Sequence, residues 1–217
     1  LTGVNEVGGN PATPATSVKR FHEWCRNTSK KWPLTMLAGS THDTKRSEDL
    51  RARLALLSEI PDHWRTAVKK WHEMNAKLRI GSAPDANTEY LLYQTLAGAW
   101  PIEKERIVQY MQKAVREAKI HSNWSEPDQK FETELTGFIG RIYENDEFIG
   151  SLADFVGKLT EPGWINSLLQ LTLRLTAPGF PDIYQGCEIW NNNLTDPDNR
   201  RAVDFVRNLE LLKQLAG

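Results

Sequence analysis

Apolar residues recur at spacings of three and four along most of this chain, which predicts a mainly helical protein. Val18, Phe21, Cys25, Thr28 and Trp32 share one face of a helix expected over 14–31. Leu50, Leu54 and Leu57 line a second over 47–58. Ser47 is placed to cap it, and Glu48 and Asp49 fall in its first turn, where the helix dipole favours them. Pro61 opens a third, with Trp64, Val68, Trp71 and Leu78. A turn is expected over 81–86, and Asp85 or Asn87 is placed to cap a helix over 88–97. Pro101 is expected to start the next, striped by Val108, Met111, Val115 and Ala118. Ser125 to Asp128 has the form of a capping box with Asp in place of Glu, ahead of helices over 129–144 and 151–159. Residues 164–175 are apolar on most sides and are expected to be buried, and a last amphipathic helix covers 203–215 with Val206, Leu209 and Leu212.

Two short stretches break this rhythm. Leu34 to Ala38 is an apolar run bounded by Pro33 and Gly39, the length of a buried strand. A second strand, containing Ile183 and Tyr184, is expected between the glycines of 178–190. Residues 1–14 are rich in Gly, Asn and Pro and read as a loop. No fixed-period repeat and no low-complexity tract stands out.

Composition narrows the function classes. A net charge of -1 gives no bulk electrostatic case for nucleic acid or an anionic membrane. No apolar run reaches the length of a membrane span. Cys25 and Cys187 do not form a disulfide framework, so a reducing cytoplasm is expected. The first residue is Leu1, and the chain reads as a piece of a longer protein. His22 and Cys25 lie three apart on a helix, but with no second Cys/His pair at ligand spacing packing is the better reading. No metal or cofactor is expected. Most of the eight tryptophans are assigned to packing.

The chemistry gathers after the first strand. Gly39, Ser40 and Thr41 lead into His42 and Asp43, then Lys45 and Arg46. A strand that ends in a His-Asp pair reads as the rim of an α/β barrel, where polar groups beyond the carboxyl ends of the strands form the site. On their own, Lys45 and Arg46 read as a solvated surface pair on a loop.

The run Thr41 to Arg53 resembles the last signature of the α-amylase superfamily, glycoside hydrolase family 13, and is closer still to the maltooligosyltrehalose synthase family. Two further stretches match that family: Asn87 to Pro101, inside the helical region, and Pro178 to Arg201. The second contains Gly179, Pro181, Ile183, Tyr184, Gly186 and Glu188 in the pattern of the superfamily's final barrel strand. Asn5 to Gly9 also has a counterpart there.

The resemblance implies the C-terminal part of a (β/α)8 barrel, its last two strands separated by a large helical insertion. Residues 1–46 would carry the penultimate strand and its loop, 47–176 the insertion, and 177–217 the last strand, a polar turn and the closing helix. It implies an intramolecular transglycosylase. The reducing-end α-1,4 linkage of a maltooligosaccharide becomes α,α-1,1, giving a maltooligosyl trehalose. Retention needs two carboxyl groups about 5 Å apart, as nucleophile and acid/base.

By place in the signature, Asp43 matches a third carboxylate that grips hydroxyls of the ring under attack, and His42 a histidine bonded to the same sugar. A carboxylate accepts from two hydroxyls, and a neutral imidazole both donates and accepts. A cation at Lys45, and less firmly Arg46, would hold Asp43 ionised or bind the acceptor sugar. Tyr184 and Glu188 are read equally as rim contacts or site groups. Trp190 is placed as a stacking platform. Asp198, Asn199, Arg200 and Arg201 are placed along the sugar pocket, although Asp-Pro-Asp-Asn is also strong turn chemistry.

The nucleophilic Asp and acid/base Glu of the superfamily lie on earlier strands, outside this chain, so the piece alone is expected to be inactive. Two strands cannot close a barrel, and a second copy is one way to cover their edges. The alternatives are a hydrolytic or transferring amylase relative and a helical interaction module without catalysis. The last needs the site loop to be incidental and would gain if Asp43, Lys45 and the turn at 198–201 lay far apart and pointed different ways.

Overall fold

The computed structural model describes residues 6–7, 9–10, 12–13 and 15–216. The expected opening loop lies partly outside these residues, as do Asn5 and Gly8. Eight helices and two strands follow in the order α1 (Val18–Lys31), β1 (Met36–Ala38), α2 (Glu48–Ala55), α3 (Pro61–Asn75), α4 (Ala86–Ala99), α5 (Lys104–Ala118), α6 (Gln129–Tyr143), α7 (Asp146–Thr176), β2 (Phe180–Asp182) and α8 (Phe205–Ala216) among the described residues. Short 3-10 turns extend α2 (Leu56–Ser58) and α3 (Ala76–Leu78), and a third forms at Asp198–Arg200. The chain divides into two compact units: Leu1–Ala55 with Pro162–Gly217, and Leu56–Glu161.

The second unit is all helix. Its starts follow local rules. Pro61 occupies the first turn of α3, where its missing N–H costs no hydrogen bond. Asp85 caps α4, accepting from the N–H groups of Asn87 and Thr88. Asp128 is itself the cap of α6, accepting from Phe131 N–H, so the expected capping box led by Ser125 is not the device used. Nor does Pro101 start α5. The chain stays extended through Glu103, and Tyr143 Oη donates to the Ile102 carbonyl at 3.0 Å. α4 is buried on nearly every side and forms the axis of the unit. Its own Leu92 and Leu96, and Trp71, Ile107, Met111 and Phe138 from other helices, are closed from solvent. Trp71 meets Tyr93, Phe148 and Phe155 edge-on, a geometry aromatic quadrupoles prefer.

The first unit holds the sheet. β1 and β2 pair in parallel, with Leu37 opposite Pro181. β2 begins at Phe180, so Ile183 and Tyr184 lie just past it rather than in it. Gly179 takes φ +142, and an added Cβ would meet the Leu37 side chain at 2.7 Å, so only glycine fits between the strands here. The strand is not buried as expected. Leu34, Met36 and Phe180 are exposed, because each strand has one neighbour and no layer covers the outer face among the described residues.

α7 is one 31-residue helix, not the two separate segments expected on either side of Pro162. Pro162 removes one backbone hydrogen bond without ending the helix. Its final stretch is not buried either: Ile165, Leu168, Leu169, Leu173 and Leu175 face solvent. α8 likewise exposes Phe205, Val206, Leu212 and Leu215.

α2 starts where expected, but with a different cap. Glu48 N–H donates to Ser40 Oγ at 3.0 Å, while Ser47 Oγ donates to the Asn191 carbonyl. No helix among the described residues is long and apolar enough to cross a membrane.

Candidate functional site

The loop from β1 to α2 carries four of the sequence-predicted residues. His42 and Asp43 stand at its outer turn, 58% and 68% exposed, with His42 Nε2 3.3 Å from Asp43 Oδ1. Their backbone is set from within the loop. Thr41 Oγ1 accepts from Asp43 N–H, and Thr44 Oγ1 donates to the Thr41 carbonyl at 2.7 Å. The next two residues are fixed from a distance. Glu6 accepts from Lys45 N–H at 2.7 Å and from Arg46 N–H at 3.2 Å, and pairs with Arg51 at 3.7 Å.

The second part is the turn after Trp190. Asn199 Nδ2 donates to the His42 carbonyl at 2.8 Å. Ser47 N–H donates to the Asn193 carbonyl at 2.9 Å, and Arg46 forms an isolated antiparallel bridge with Leu194. Asp198 Oδ2 accepts from Leu194 N–H at 2.7 Å, so this side chain builds the turn. Arg200 pairs with Asp196 and is exposed. Arg201 donates to Asn193 Oδ1. The structure therefore joins the loop bearing His42 and Arg46 to the turn bearing Leu194 and Asn199.

Two of these side chains are buried with polar atoms unspent. Arg46 is 6% exposed, and its Nε and Nη2 have no hydrogen-bond partner among the described residues. Asn199 is buried too, and its Oδ1 accepts from nothing there. Such groups are costly unless something pairs with them.

Tyr184 and Trp190 have neighbours of their own. Tyr184 lies on the turn after β2, where its carbonyl accepts from Cys187 N–H. Glu188 is exposed. Trp190 stacks on Trp164, centroids 5.5 Å apart and planes 13° apart, so one face expected for a sugar is already covered. Trp190 lines a cleft of about 530 Å3 with Glu48, Asp49, Ser167, Cys187 and Arg207. Burial raises the Asp49 carboxyl above its usual value, against bonds from Asn191 N–H and Ser167 that lower it. Burial, and then the Glu48 charge, pushes the Cys187 thiol up to about 12, which leaves it a poor nucleophile. Glu48 pairs with Arg174 through both oxygens. A Cβ at Gly39 would fall on that pair, whose side-chain ends would have to shift to make room. No group of three or more His, Cys, Asp or Glu is arranged to hold a metal among the described residues.

Sequence reasoning did not find Glu6 or Asn193. The signal for Glu6 was slight: the single charged residue in an otherwise uncharged opening stretch. For Asn193 it was the run Asn191-Asn192-Asn193 ahead of the turn.

No protein-family profile matches the chain. A putative maltooligosyl trehalose synthase of Mycobacterium tuberculosis is 36% identical over 222 residues, covering 99% of this chain and 28% of the relative. Among solved structures, maltooligosyltrehalose synthase from Arthrobacter ramosus superposes with a TM-score of 0.91 at 41% identity, over 100% of this chain and 28% of that one. A structure described as DSM5389 glycosyltrehalose synthase gives 0.91 at 42% identity, over 99% and 29%. The chain thus spans just over a quarter of the length of the relatives it matches. From end to end, in sequence and in fold, it corresponds to one segment of the maltooligosyltrehalose synthases.

Proposed function

We propose that this chain supplies the last active-site segments of a maltooligosyltrehalose synthase. In this reading β1 and β2 are the final two strands of a (β/α)8 barrel, and the helices between them are its insertion. Residues 1–46, 47–176 and 177–217 then carry the first of these strands with its loop, the insertion, and the last strand with its turn and closing helix. The observation that carries the reading is the joining of the His42–Asp43 loop to the Asn199 turn, in a chain that matches synthases along its whole length.

Asp43 grips two hydroxyls of the glucose ring under attack, and His42 bonds the same ring. The unspent donors of Arg46 and the unspent acceptor of Asn199 take hydroxyls of the same sugar or its neighbour. Lys45 serves the acceptor side. Asp198 and Arg200 shape the turn, and Tyr184 and Trp190 contribute more remote contacts to the glucan. The nucleophile and acid/base come from segments outside this chain. The released glucose turns within the pocket and attacks through its anomeric hydroxyl. Keeping water out separates this transfer from hydrolysis. The site is in the cytoplasm, with a maltooligosaccharide as partner and no cofactor.

The test is Asp43→Asn in a full-length synthase carrying this segment, with trehalose-ended product measured from maltopentaose. A fall of at least about 10²-fold in turnover is expected, the scale for removing one electrostatic stabiliser of a transition state. Full-speed transfer by that variant overturns the reading. The 217-residue chain alone is expected to give no trehalose-ended product.

A further inference from the structure

The helical unit Leu56–Glu161 has a cleft of its own, of about 600 Å3, bounded by α3 and the start of α4. That is within the range of about 300–1,000 Å3 typical of ligand sites. Val68 and Trp64 give it an apolar wall, and Tyr90, 43% exposed, stands at its side. Trp64 Nε1 donates to Tyr90 Oη at 3.0 Å and fixes the phenol ring, leaving the phenol proton to donate elsewhere.

The polar groups are set just as firmly. His72 Nδ1 lies 2.9 Å from Glu89, which is 2% exposed. Glu89 is anchored in turn by Arg79 and by Tyr93 Oη at 2.7 Å. A neutral imidazole donating from Nδ1 to this carboxylate presents Nε2 as an acceptor, oriented by a buried partner. The charges at the rim are balanced: Arg65 pairs with Asp62 at 2.7 Å, and Lys69 lies 4.0 Å from Glu73. The cleft therefore offers an aromatic face, one oriented acceptor and one phenol donor, with no surplus charge to draw an anion. Those features fit a neutral polyhydroxylated ring.

We propose that this cleft is a second saccharide site, which holds a glucosyl unit of the α-glucan against Tyr90 with a hydroxyl donating to His72 Nε2. The choice of glucan rests on the function proposed above; the saccharide class rests on the cleft.

The experiment follows the Trp64 indole N–H by NMR while the 217-residue chain is titrated with maltoheptaose, with Trp64→Phe assigning the signal. A saturable shift is expected, retained in Asp43→Asn and unmoved by cellohexaose. Tyr90→Ala is expected to weaken the apparent Kd about tenfold, the upper range for one aromatic contact. Should Tyr90→Ala lose its dispersed spectrum, His72→Phe carries the test and is expected to weaken binding several-fold. An unshifted Trp64 signal at millimolar sugar overturns the proposal, as does binding that neither variant weakens. Shifts confined to residues 42–46 sink the cleft while leaving the glucan reading of that loop intact. Full-speed transfer by Asp43→Asn in the full-length enzyme would do the reverse.

Discussion

The two units bury their apolar residues to different degrees. Leu56–Glu161 closes its core on itself, with Trp71, Tyr93, Phe138 and Phe148 shut away from water. The strand-bearing unit buries Leu50, Leu54 and Leu194 but leaves Leu34, Met36, Phe180, Leu169, Leu173 and Leu215 in solvent. Burial supplies most of the favourable free energy of folding, so similar helix-forming sequence does not mean similar self-sufficiency. The helical unit is expected to stand alone. The other presents faces shaped for cover.

The sharpest way to break this contrast is to cut the chain. A protein consisting of Leu56–Glu161 is expected to unfold in one cooperative thermal transition with full helical circular dichroism. The complementary protein, with those residues replaced by a short Gly/Ser linker, is expected to bind a hydrophobic dye and to melt without a clear transition. A broad melt from the helical piece would end the argument.

Next in size come single side chains. Trp71→Ala is expected to cost about 3–5 kcal/mol in urea unfolding, from lost transfer energy and the cavity left behind. Leu215→Ala, at an exposed site, is expected to stay within about 0.5 kcal/mol. Equal losses at the two positions would erase the distinction.

The smallest effects are in pH, and they carry opposite signs. Paired hydrogen bonds from Arg116, then one from Ser122, hold Glu132 of the helical unit below its usual pKa. The unfolded state then binds the proton more readily. The stability Glu132 contributes is complete above its unfolded pKa and is lost as pH falls through the lower folded value. Asp49 of the other unit is raised by burial, so the folded state holds the proton longer. Its contribution is complete below the unfolded pKa and is lost as pH rises through the folded one. Glu132→Gln is expected to flatten the acid limb of a melting-temperature profile, and Asp49→Asn to raise stability at neutral pH. The same sign of pH dependence from both residues would contradict the assignment of causes.

Legibility in the sequence follows how local each cause is. Pro61 opening α3 and Asp85 capping α4 depend on a few neighbouring residues, and both starts were readable. The parallel pairing of the two strands was implied only through the family resemblance. What was misread depended on partners remote in sequence. Ser47 has the right chemistry for a cap, but Asn191 takes its hydroxyl and Ser40 takes its place. Residues 164–175 read as buried because they are apolar, yet burial needs a covering layer that apolarity alone does not supply.

The candidate site divides in the same way. His42 and Asp43 could be picked out from a short contiguous run. The approach of Asn199 to His42 spans 157 positions and left no local trace. Trp190 was the expected platform, and nothing in its neighbourhood announced that Trp164 would cover it.

The grip of Glu6 on two successive amides has a consequence for handling the protein. The tip bearing His42 and Asp43 is leashed by Glu6, 39 positions before Lys45, not only by the strand and helix that flank it. Replacing Glu6 by Ala would remove that leash while leaving every helix untouched. A preparation could then look perfectly folded by spectroscopy and still hold its carboxylate in the wrong place.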